Sequence, residues 1–138
     1  MRYRRGASAE RELIHKLEEL GFAVVRSAGS KKVDVIAGNG RLYLCIEVKS
    51  TKGDRVYLSD EDIEKLRSFS QKFGGKPYVA IKFIGREWRF FPAEEVVKKR
   101  TGKNYRLDYS DSGMSLEEVV GKQKSLIDVI NGVVENEG

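Results

Sequence analysis

The chain has 138 residues, 40% hydrophobic and 34% charged, which suits one globular domain and excludes both a disordered polymer and a membrane-spanning protein, since no stretch approaches the roughly 20 apolar residues that cross a bilayer. A single cysteine, Cys45, and a single histidine, His15, exclude an intrachain disulfide and zinc sites of the Cys/His kind, and leave hydrolytic chemistry to carboxylates, lysines and a hard cation. Charge divides unevenly: residues 1–109 carry 24 basic and 15 acidic side chains, residues 110–138 carry 2 and 6, so a basic body suited to a polyanion such as nucleic acid precedes an acidic end.

Leu13, Ile14, Leu17 and Leu20 recur at helical spacing, and Gly21 stops the pattern, which predicts an amphipathic helix from Ser8 to Leu20. Phe22 to Arg26 reads as a strand ending in the turn-rich Ser27-Ala28-Gly29-Ser30. Val33 to Ala37 and Leu42 to Lys49 follow as a hairpin turned at Asn39-Gly40. Ser59 before Asp60, Glu61 and Asp62 marks the start of a second helix reaching Phe73 and Gly74-Gly75, with Ile63, Leu66, Ser70 and Phe73 as its buried stripe and Phe69 beside it. Tyr78 to Phe83 and Trp88 to Phe91 predict two strands joined at Gly85-Arg86, then a short helix from Ala93 to Lys99 and a strand from Tyr105 to Tyr109. Ser115 and Glu118 form a capping-box pattern, and residues 131–138 are expected to be a frayed acidic tail outside a single domain of residues 1–130. The order implies an α/β fold, a mixed central β-sheet flanked by helices.

Alternation along Leu42 to Lys49 places Glu47 and Lys49 on one strand face. A two-residue turn at Asn39-Gly40 would put Asp34 opposite Cys45 and make Glu47 its diagonal neighbour at about 7–8 Å, near enough for two carboxylates to share a cation. A three-residue loop would turn one strand over and destroy the arrangement. Glu10 heads the apolar stripe of the first helix and should face the sheet. Singly, Glu10 also fits an acid near a helix N-terminus, and Glu47 with Lys49 also fits a weak surface ion pair. Together, two carboxylates suited to magnesium and an adjacent ammonium make a phosphodiesterase arrangement.

On these residues the sequence resembles the archaeal Holliday junction resolvases, within the nuclease superfamily of restriction-endonuclease-like fold. The resemblance rests on Gly6-Ala7 and Ala9-Glu10-Arg11-Glu12-Leu13, on Phe22-Ala23-Val24-Val25-Arg26-Ser27-Ala28-Gly29-Ser30, on Val33-Asp34 and on Cys45-Ile46-Glu47-Val48-Lys49, and spans about residues 2–125. It implies a homodimer that cuts four-way DNA junctions by two symmetric incisions during recombination and repair. It further implies that Asp34 and Glu47, with Glu10, serve a magnesium ion that manganese could replace. Lys49 and Glu10 would assist catalysis, and Arg11, Arg26 and Ser30 would serve the scissile phosphate or its loop. The expected setting is the cytoplasm, at the nucleoid. A related nuclease acting on linear or branched duplex, and a non-catalytic DNA-binding module, are the alternatives.

Arg2, Arg4, Arg5, Lys31 and Lys32 flank Glu10 and Asp34 in sequence, so assembling the acids also gathers cations suited to phosphate contacts. Lys98-Lys99-Arg100 with Lys103 is a second basic run, which fits a solvated loop as well as DNA contact. Phe69 and Phe73, four residues apart, are the candidate dimer contacts, with core packing the competing reading for Phe73.

Overall fold

A computed structural model of the chain describes the backbone of residues 2–28 and 33–121, with side chains from Ala7 onward. Along the chain come α1 (Arg2–Glu19), β1 (Ala23–Arg26), β2 (Val35–Gly38), β3 (Tyr43–Thr51), β4 (Arg55–Ser59), α2 (Asp60–Phe73), β5 (Lys76–Phe83) and β6 (Trp88–Pro92). They are followed by α3 (Ala93–Val96), a 3-10 turn (Val97–Lys99), β7 (Arg100–Thr101), β8 (Asn104–Asp108) and a second 3-10 turn (Tyr109–Asp111). Strands β1-β2-β3-β5-β6 form one five-stranded sheet and β4-β8-β7 a smaller one. Among the described residues only the β3–β5 pairing is parallel. A parallel pair needs a crossover, which β4 and α2 supply.

Strand β3 is buried on both faces because a helix covers each. Leu44, Ile46 and Val48 pack with Ala9, Leu13 and Leu17 of α1, whereas Cys45 packs with Ile63 and Leu66 of α2 and with Val79 and Ile81 of β5. Fully burying each leucine of α1 contributes about 1.5–3 kcal/mol, so this helix is held chiefly by the sheet rather than by its own propensity.

The expected start of α2 is present: Ser59 Oγ accepts the Asp62 N–H at 3.0 Å, and Asp62 Oδ2 accepts the Ser59 N–H at 3.3 Å. Gly74 ends it at φ 88°, where an L side chain would be strained. The first residue of α2, Asp60, is held by the small sheet. The Arg100 guanidinium forks onto it at 2.7 and 2.8 Å, and the Tyr105 hydroxyl donates to it at 2.9 Å. The Ser115–Glu118 capping box also forms, residues 116–121 are helical, and Leu116 and Val119 join the α1-side core. The expected tail at 131–138 lies outside the described residues.

Four expectations change. First, α1 begins at Arg2 rather than Ser8, because arginine and alanine continue the helix and the single Gly6 weakens it without ending it. Second, β4 and β7 were absent from the predicted elements; each pairs only with β8, and β7 is two residues long, too short for a periodic signal.

Third, the β2–β3 hairpin turns one residue later than Asn39-Gly40. Gly38 pairs with Tyr43 and the Asn39 N–H donates to the Leu42 carbonyl at 3.1 Å, so Gly40, at φ 89°, and Arg41 span the turn, while Asn39 Oδ1 accepts the N–H groups of Arg41 and Leu42 at 2.9 and 2.7 Å. The asparagine side chain thereby captures backbone donors of the turn itself. The register moves by two residues, so Asp34 keeps its face, and continuing the pairing past Val35–Ile46 sets it beside Glu47 rather than Cys45.

Fourth, Phe73 leaves the buried stripe and is 47% exposed, while Phe69 is half-buried against the α2-side core. The two rings stack at 5.7 Å, and Tyr43, itself 43% exposed, meets Phe73 edge-on at 6.4 Å.

Candidate active site

The site forms where β2 leaves β3. The Ser27 N–H still pairs with the Asp34 carbonyl at 3.0 Å, while the Asp34 carboxylate turns to β3 and its Oδ2 accepts the Val48 N–H at 2.8 Å. Glu47 faces the same side from the middle of β3 and is only 4% exposed. Its Oε1 is buried without a hydrogen-bond partner. Lys49 Nζ stands 3.8 Å from Glu47 Oε2 and 3.6 Å from Asp62 Oδ2, and Lys65 Nζ stands 3.9 Å from Glu47 Oε1. These separations are ion pairs too long for good hydrogen bonds.

The electrostatics follow from burial. Burial first, and then the Asp34 charge, push the Glu47 carboxyl from 4.5 up to about 7, against the pull of Lys65 and Lys49 and with Asp62 adding to the rise. Asp34 is also raised, by burial most and by the Glu10 charge, although the Val48 N–H opposes the shift. Two buried carboxylates side by side, one with an oxygen lacking a hydrogen-bond donor, have room in their donor set for a further cation. Hard oxygen donors suit magnesium, so the residues fit that ion.

Glu10 approaches from α1 but is engaged: its Oε1 accepts from Arg26 Nε at 2.6 Å. Among the described residues no group of three or more His, Cys, Asp or Glu side chains is gathered closely enough to hold a metal, so Asp34 and Glu47 stand as a pair, with Glu10 acting on Asp34 through its charge. Arg26, paired with Glu10, is 44% exposed, and Arg11 is exposed on α1. The side chains of Arg2, Arg4 and Arg5, and the whole of Ser30, Lys31 and Lys32, lie outside the described residues.

Asp62 and Lys65 are additions that the sequence reading missed. The signal was the crossover itself: α2 must cover the face that Glu47 and Lys49 share, and residues 62 and 65 border its buried Ile63–Leu66 stripe one turn apart. On the opposite sheet face Glu12 Oε2 accepts from Trp88 Nε1 at 2.6 Å and from Lys82 Nζ at 3.0 Å. Burial raises the Glu12 carboxyl, but those two bonds together with the Lys82 and Lys16 charges outweigh it and hold it below its ordinary value.

The family model for the archaeal Holliday junction resolvase (Hjc) matches residues 1–127. A crossover junction endodeoxyribonuclease Hjc of Methanocaldococcus jannaschii is 47% identical over 127 residues, covering 91% of this chain and 93% of the relative. Its counterpart from Archaeoglobus fulgidus is 42% identical over 125 residues, covering 86% and 90%. The solved structure of Archaeoglobus fulgidus Hjc, described as a Holliday junction resolvase from an archaeal hyperthermophile, superposes with a TM-score of 0.78 at 43% identity, covering 84% of this chain and 95% of that one. A sheet that brings Asp34, Glu47 and Lys49 to one face, in a chain so matched along nearly its whole length, belongs to the archaeal Holliday junction resolvase family.

Proposed function

We propose that the chain is a crossover junction endodeoxyribonuclease that cuts four-way DNA junctions by paired, symmetric phosphodiester hydrolysis with magnesium, or manganese in its place, held by Asp34 and Glu47. The observation that carries this reading is the buried Glu47 oxygen without a hydrogen-bond partner beside a second carboxylate that also resists ionisation. When bound, such a cation activates water and offsets charge on the phosphate.

The chain's own residues supply the rest. Lys49 directs an ammonium into the same site, where it stabilises negative charge growing on the phosphate oxygens as water attacks phosphorus and a P–O ester bond breaks. Arg26, half-exposed and tethered to Glu10, serves the phosphate in this reading, together with Arg11, which is exposed on the same helix as Glu10. We assign Arg2, Arg4, Arg5, Lys31 and Lys32 to DNA backbone contacts and Ser30 to the loop at the scissile phosphate, on their sequence positions. Two cuts related by symmetry call for two copies, and the exposed Phe73 and Tyr43, with Phe69 stacked behind, offer an apolar patch for a homodimer. The setting is with chromosomal DNA; among the described residues no helix is long and apolar enough to cross a membrane.

The test compares an immobile synthetic junction with its component duplexes, with and without magnesium, sizing products on every strand. The wild-type protein should place two symmetric nicks in the junction only. Asp34→Asn and Glu47→Gln should cut neither substrate while binding the junction within a few fold of wild type, since the basic surface is intact. Equal cutting of linear duplex, or normal cutting by either variant at limiting magnesium, would refute the assignment.

A further inference from the structure

Helix α2 brings a charge pair of its own to the site. Asp62 and Lys65, one turn apart, face Lys49 and Glu47 of β3, so the four groups meet crosswise: Asp62 with Lys49 at 3.6 Å and Lys65 with Glu47 at 3.9 Å. Each oxygen of Glu47 thus has its own ammonium, Lys49 at Oε2 and Lys65 at Oε1. The oxygen that Lys65 approaches is the one with no hydrogen-bond donor. The Lys65 side chain is only 20% exposed, so its charge is poorly screened by water.

We propose that Lys65 is a positioning residue, the internal counter-cation of the Asp34–Glu47 pair, which holds these carboxylates together when no metal is bound and competes with the divalent ion for them. The proposal rests on the reading of that pair as the metal site. Its physical basis is simple repulsion: an ammonium within ion-pair distance of a ligand carboxylate disfavours a second cation there. A divalent ion feels that repulsion about twice as strongly as a proton does, so competition with protons at Glu47 does not cancel the effect. The consequence for the enzyme is a raised metal concentration threshold for activity.

The experiment is calorimetric titration of manganese into chelator-stripped protein, without DNA, for the wild type, Lys65→Met, Lys65→Gln, Lys65→Arg and Asp34→Asn. Removing the charge should tighten manganese binding about five- to tenfold, the effect of up to one logarithmic unit of electrostatic interaction. Lys65→Arg, which keeps the charge, should stay within about twofold of wild type, and junction cutting by Lys65→Met should half-saturate at correspondingly lower metal. Thermal melts establish that Lys65→Met is folded, and Lys65→Gln is read in its place where it is not. Unchanged or weaker manganese binding by a folded, charge-free variant overturns the proposal while leaving the metal site standing. A wild type that binds no manganese, or an Asp34→Asn variant that binds it as well as wild type, refutes the metal site itself and takes the role of Lys65 with it.

Discussion

Replacing Glu47 by glutamine should stabilise the metal-free protein while ending its activity. The ordinary carboxyl value of 4.5 becomes about 7 at Glu47 in the folded chain, so between these values the native state holds a proton that the unfolded state releases. The unfolded state then binds fewer protons, and stability must fall as pH rises through that window. A shift of this size at about 1.4 kcal/mol per unit amounts to roughly 3 kcal/mol of lost stability above pH 7. Glutamine does not ionise, so Glu47→Gln should melt roughly 10 °C above wild type at pH 8.5 and nearly with it at pH 4.5. Calorimetry of chelator-treated protein across that range is the assay, and adding magnesium should close the gap by stabilising only the wild type. A difference in melting temperature that is independent of pH, or a less stable variant at pH 8.5, would refute the account of Glu47 as an anion strained by burial.

In the proposed homodimer Phe73→Asp would place an unpaired charge in an apolar contact, so it should shift the protein toward monomer in sedimentation, while the melting temperature changes little at this exposed position; an unaltered dimer would remove Phe73 from the interface. Glu12→Ala should cost about 1–2 kcal/mol by leaving the buried Trp88 indole N–H without its acceptor, and because Trp88 is the only tryptophan, its near-ultraviolet dichroism and emission should change with it. An unshifted tryptophan signal would show that the indole does not depend on Glu12.

The sequence disclosed most where one residue's chemistry controls its own neighbourhood. Ser59 with Asp62 announces the start of α2, Gly74 its end, and Ser115 with Glu118 the final cap, because these side chains act within one turn. The face shared by Asp34 and Glu47 was also legible, and survived an error in the turn because the pairing moved by two residues. What stayed hidden depends on distant chain segments. β7, two residues long, exists because β8 returns to pair with it, Lys65 reaches Glu47 only after the crossover is laid down, and Phe73 is left uncovered because helical period alone does not say where the sheet beneath it stops; β4, by contrast, had a local signal in the alternation of Arg55-Val56-Tyr57-Leu58-Ser59.

The clasp on Asp60 gives α2 a mechanical character. Its first residue is tied to Arg100 and Tyr105 of the small sheet, its first two turns carry Asp62 and Lys65, and its far end, about 20 Å away, carries Phe73. A rod fixed at one end moves most at the other. A displacement imposed at the aromatic end is therefore scaled down in proportion to distance from the clasp, to about a sixth at Asp62 beside Lys49 and about two fifths at Lys65 beside Glu47, so Phe73 can adapt to what docks on it with less movement at the carboxylates.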